Sequence, residues 1–153
     1  MHRRPRLTRP LAGLALTAGT ALLVSGCSSS VEVAAPDDAD SPACADVVWP
    51  QTVSGHELVA TSPKAPWAAA WGDPAIIARC GIPALEPTTL DCVAVDDVDW
   101  IVRELSDGTA MSSYGTDPAL EVLVPDTYGP GPLMLPVFSD LVRALPSNGR
   151  HCD

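Results

Sequence analysis

Residues 67–80 read Trp-Ala-Ala-Ala-Trp-Gly-Asp-Pro-Ala-Ile-Ile-Ala-Arg-Cys, and this stretch decides the fold class. Two apolar runs, Trp67 to Trp71 and Ala75 to Cys80, flank Gly72-Asp73-Pro74. Turn residues between short apolar runs predict a strand, a turn and a second strand. Side chains alternate across a strand. Ile76, Ala78 and Cys80 therefore share one face, and Ile77 and Arg79 share the other.

The same grammar continues downstream. After a Pro-rich loop from Gly81 to Leu90, Cys92 to Val95 and Val98 to Leu105 flank Asp96-Asp97, the pattern of a two-residue hairpin turn. Ser106-Asp107-Gly108-Thr109 turns the chain into Ala110 to Tyr114, and a last strand, Leu120 to Val124, follows Asp117-Pro118. Beyond it, Leu135, Phe138, Leu141, Val142 and Leu145 form an apolar stripe at helical spacing. Gly131-Pro132 opens this helix, Pro136 is tolerated in its first turn, and Pro146 closes it. Upstream, Ser41-Pro42 marks a short helix with Cys44, Val47 and Val48 on one face, ended by Pro50. Strands joined by short turns pair antiparallel. The expected fold is α+β: a mostly antiparallel sheet of about five or six strands, both helices packed on one face. The domain spans 41–153.

Residues 1–26 carry a different message. Arg3, Arg4, Arg6 and Arg9 form a basic head, and an uncharged Leu/Ala/Val-rich run reaches Gly26. This is the order of a signal peptide, too short and too interrupted for a membrane span. It ends in Leu23-Val24-Ser25-Gly26-Cys27, a bacterial lipobox. Small residues before the cysteine suit the peptidase, and the Cys27 thiol is the atom that takes a diacylglyceryl thioether. Two acyl chains hold a protein stably on a bilayer. The expected location is the outer face of the cytoplasmic membrane. Residues 27–40, small, polar and acidic, read as a flexible tether with a reach of about 20 Å.

The chain has 153 residues and a formal charge of −10. Without residues 1–26 it keeps five basic and nineteen acidic residues, a net charge of −14. That sign excludes nucleic acid as a partner. An anionic leaflet repels such a domain, so the expectation is that the lipid holds it and the globular part stands off the bilayer.

Four cysteines remain after Cys27: Cys44, Cys80, Cys92 and Cys152. An even count in an exported domain predicts two disulfides, with three connectivities available. Cys44 and Cys80 both lie on expected core-facing sides, which favours Cys44–Cys80 with Cys92–Cys152. No CxxC is present, and no metal or other cofactor is expected.

Together, Trp71-Gly72-Asp73-Pro74, Arg79-Cys80-Gly81, Val95-Asp96-Asp97-Val98-Asp99-Trp100, Val124-Pro125, Tyr128-Gly129-Pro130 and the terminal helix to Leu145-Pro146 resemble a known family. It is the actinobacterial lipoproteins with domain of unknown function 3515 (DUF3515). The resemblance implies a lipid-anchored envelope protein and brings no activity with it. Cysteines matching Cys44 and Cys80 recur in the family, which adds weight to their pairing.

Other constellations are weaker. An EF-hand counted from Asp97 puts Ile101 and Val102 where an oxygen ligand and glycine belong. His56-Glu57 begins a zinc-protease motif, but Ala60 stands where its second histidine belongs. There is no GxSxG and no P-loop. The expected function is a non-catalytic interaction or structural module facing an envelope protein or wall component. The alternative is a binding module in which Trp71, Asp73, Arg79 and Trp100 form a surface for a glycan or anionic envelope ligand. An acidic hydrolase using two carboxylates stands third.

Overall fold

The structure is a computed structural model and describes residues 30–152. In chain order the elements are β1 (Val31–Glu32), α1 (Pro42–Ala45), β2 (Thr52–Val53), β3 (His56–Val59), β4 (Thr61–Ser62), β5 (Ala68–Trp71), β6 (Ile76–Ile82), β7 (Asp91–Val95), β8 (Val98–Glu104), β9 (Gly108–Tyr114) and β10 (Ala119–Pro125). A 3₁₀ turn (Asp126–Tyr128) and a 3₁₀ helix (Gly131–Phe138) follow, the latter running into α2 (Ser139–Ala144).

Eight strands form one antiparallel sheet in the order β2-β3-β5-β6-β10-β9-β8-β7. It is two meanders, β2 to β6 and β7 to β10, joined where β10 pairs with β6. The six strands expected from the sequence are present. The sheet is larger than expected because β2 and β3 extend it, while β1 and β4 form a separate parallel pair. Asp96 and Asp97 both take positive φ, 50° and 60°, and connect β7 to β8 as the two-residue turn. Positive φ at both central residues matches the right-handed twist of the strands.

One face of the sheet carries the core. Register places Trp71, Ile76, Ala78, Cys80, Leu120, Val122, Met111 and Trp100 on it, all buried. Met134, Leu135, Phe138, Val142 and Leu145 from the C-terminal segment complete the cluster. Trp71 meets Phe138 edge to face with ring centroids 5.5 Å apart. Burying side chains of this kind stabilises a fold by about 1.5–3 kcal/mol each.

Four expectations need correction. The C-terminal helix is not α-helical throughout: residues 131–138 are 3₁₀, and the α-helix begins at Ser139. Pro136 lacks an N–H, and its ring clashes with the carbonyl four residues back in an α-helix. The first helix is a single turn, and Val48 lies beyond it, 80% exposed rather than on a buried face. The domain does not begin at 41. Residues 31–40, expected to be tether, are part of the fold: β1 pairs with β4, Val33 is buried, and the Asp38 N–H donates to the Gly81 carbonyl. Backbone hydrogen bonds hold this acidic segment, and its side chains give no sign of them. Finally, Trp71 and Trp100 belong to the core rather than to a ligand surface.

Disulfides join Cys44 to Cys80 (Cα–Cα 5.6 Å) and Cys92 to Cys152 (Cα–Cα 6.2 Å). The first fastens α1 to the core face of β6. The second fastens the chain's end to the edge strand β7. No helix among the described residues is long and apolar enough to cross a membrane.

Candidate functional site

The Trp71–Pro74 turn lies at one end of the sheet, and three segments converge on it. The buried Trp71 donates its indole N–H to the Pro50 carbonyl (2.9 Å). The Gly72 N–H donates to the Glu57 carbonyl on β3 (3.1 Å). The Tyr128 hydroxyl donates to the Pro74 carbonyl (2.6 Å), and the His56 ring lies against the Tyr128 ring at 4.3 Å between centroids. Gly72 has φ +74°, and a Cβ there would lie 2.9 Å from the Tyr128 hydroxyl and 3.1 Å from His56 Nδ1. Glycine is required both by the backbone and by the packed rings. His56 and Tyr128 had not been linked to this turn from the sequence. In the sequence Tyr128-Gly129-Pro130 stands out as a motif, but its partner is 54 residues away at Pro74.

Beside this turn lies an open concavity of about 480 Å³. Pro74, Ala75, Ile77, Leu123 and Pro125 give it apolar walls, with Asp107 and Thr127 supplying polar groups. A second concavity, about 140 Å³, gathers Asp99, Tyr114, Arg143, Arg150 and His151 beside Val98, Val142 and Leu145. Three of these groups are already engaged: Asp99 accepts the Cys152 N–H (2.9 Å), Arg150 binds Glu86 (3.0 Å) and the Leu85 carbonyl, and Arg143 donates to the Asp96 carbonyl (2.6 Å). A third, about 390 Å³, is lined by Trp49, Leu58, Ala60, Thr61, Lys64 and Ala65, among others, and no carboxylate lines it.

The four residues expected to form a ligand surface do not meet. Trp71 and Trp100 are fully buried on the core face. Arg79 is on the opposite face, where its Nε and Nη2 donate to Glu121 Oε1 at 2.8 and 2.6 Å. Asp73 is exposed at the turn. Glu121 is 4% exposed although charged, and longer contacts at 3.5 Å bring Arg103 and Ser112 to its other oxygen. A buried carboxylate needs such partners. The sequence hint was a lone acid inside the apolar run 120–124. Cys27 lies outside the described residues. Among the described residues, no three His, Cys, Asp or Glu side chains group to hold a metal ion.

Fold and bridges together define a small α+β domain, one antiparallel sheet stapled by two disulfides. A family model described as "Protein of unknown function (DUF3515)" matches residues 11–149, and the chain belongs to that family. No curated protein and no solved structure matches it.

Proposed function

We propose that this chain is a lipid-anchored protein of the bacterial cell envelope, on the outer face of the cytoplasmic membrane. Its domain is a non-catalytic interaction or structural module for an envelope protein or wall component. The observation that carries the reading is how the family's motif residues are used. Trp71, Gly72, Pro74 and Tyr128 are committed to internal hydrogen bonds and ring packing, and Arg79 is committed to Glu121. These bonds build a rigid scaffold. The lipobox at Cys27 and the two bridges support an exported, oxidised setting.

Two measurements test this. Mass spectrometry of membrane-extracted protein, without reduction, is expected to find a diacylglyceryl adduct on Cys27 and no free thiol. Crosslinking in intact cells is expected to recover a specific envelope neighbour. An unlipidated cytosolic chain with titratable thiols overturns the location. Hydrolase activity of the purified protein, with no neighbour recovered, overturns the module.

A further inference from the structure

The segment expected to be a leash is largely absorbed into the fold. The Val31 N–H donates to the Ala60 carbonyl (2.8 Å), and the Val33 N–H donates to the Ser62 carbonyl (2.9 Å). Val33 is 5% exposed, and the Arg79 guanidinium donates to the Ala34 carbonyl (3.2 Å). Cys27 precedes Val31 by four residues, and an extended chain covers at most about 3.6 Å per residue. A lipid on Cys27 is therefore attached within about 14 Å of the β1–β4 pair. That is too short to hold a domain of this size clear of a bilayer in all orientations. The end of the domain beside β1 must face the leaflet.

That end carries the third concavity. Ala60, which holds Val31, lines it. β1 and β4 run parallel, so the backbone preceding Val31 arrives from the side where Val59 and Ala60 precede Thr61. The lining includes Leu58, 41% exposed, and the half-buried Trp49, whose indole N–H donates to the Pro66 carbonyl (2.7 Å). Lys64, the chain's one lysine, also lines it. Tryptophan settles at membrane interfaces, and lysine lays its stem on apolar surface while its ammonium meets phosphate. Glu32 and Glu57, the exposed strand neighbours of Val31 and Leu58, do not line it. Four other concavities each include a carboxylate: Asp107, Asp99, Asp126 and Asp46. In a mature chain of net charge −14, this acid-free surface lies where the anchor enters. Repulsion between exposed charges fades over about 8 Å at physiological salt, so the charges nearest the leaflet decide which face tolerates contact.

We infer that the surface formed by Trp49, Leu58, Ala60, Lys64 and Ala65 rests on the outer leaflet of the membrane, with bilayer lipid in the concavity. The inference depends on lipidation of Cys27. The test uses the lipidated full-length protein, purified from membranes and placed in vesicles of phosphatidylglycerol with brominated acyl chains. Mass spectrometry first establishes the lipid. Brominated lipid is expected to quench up to about a quarter of the tryptophan emission, the share of one tryptophan among four. Trp49→Phe is expected to abolish that loss, and Lys64→Glu, at an exposed position, to reduce it at least twofold with an unchanged circular dichroism spectrum. Absence of lipid on Cys27 overturns the anchor reading itself. A lipidated protein that is not quenched, or is quenched equally with Trp49→Phe, overturns the seat and leaves the anchor standing. Trp49 emission that is blue-shifted but insensitive to brominated lipid also overturns it, because the protein's own acyl chains then fill the concavity.

Discussion

Gly81 holds the N-terminal segment on the domain. Its φ is +110°, and a Cβ there would lie 2.7 Å from both the carbonyl carbon and the carbonyl oxygen of Asp38. Gly81→Ala is expected to cost about 2–3 kcal/mol, from strain at positive φ together with a backbone clash. Urea unfolding gives the loss, and hydrogen exchange is expected to show residues 31–40 released first. The Arg79–Glu121 pair makes a second case. Arg79→Met leaves a carboxylate on the sheet with its best partner gone, and about 2–3 kcal/mol is expected to be lost. That is below the range for a fully buried pair because the Arg79 side chain is 24% exposed. Adding Glu121→Leu is expected to restore most of the loss, read as a double-mutant cycle. At the β7–β8 turn, Asp97→Gly removes a side chain from φ 60° and is expected to stabilise by about 0.5–1 kcal/mol.

At the scale of elements, legibility followed side-chain pattern. β5 to β10 alternate or run apolar between turn residues, and their sequence positions were clear. The Asp96-Asp97 turn was equally plain. β2 and β3 were not legible, because Thr52-Val53 is two residues long and His56-Glu57-Leu58-Val59 does not alternate. The pairing of β3 with β5, and of β2 with β3, is a tertiary fact. β1 and β4 were invisible for the same reason, each being two residues held by backbone bonds. The site was less legible still. Trp71 and Arg79 are conspicuous in the sequence, but whether a conspicuous residue faces the core or solvent depends on the whole sheet. The C-terminal stripe was legible as a covering element, and its 3₁₀ beginning was not. Phe138, fully buried against Trp71, is the centre of that cover. Phe138→Ala is expected to cost about 3–5 kcal/mol by cavity formation, measured by chemical denaturation.

For the molecule as a whole, the bridges close loops with sequence separations of 36 and 60 residues. On the chain-entropy account each stabilises by about 4 kcal/mol, a large part of the stability of a domain this size. The two are not equally reachable. Cys44 and Cys80 are fully buried, whereas Cys92 is exposed on β7. Graded reduction with dithiothreitol, followed by alkylation and mass mapping, is expected to label Cys92 and Cys152 well before Cys44 and Cys80. Simultaneous labelling would mean that the core opens as readily as the edge.

The seam between the two meanders is made by β10, residues 119–125. Until that stretch has been synthesised, the half ending at Ile82 and the half beginning at Asp91 share no strand edge. The strands of each half can pair among themselves before then, but the halves become one sheet only when β10 is available. The late arrival of one strand thus postpones the joining of two hairpin stacks into a single eight-stranded sheet until residues 119–125 exist.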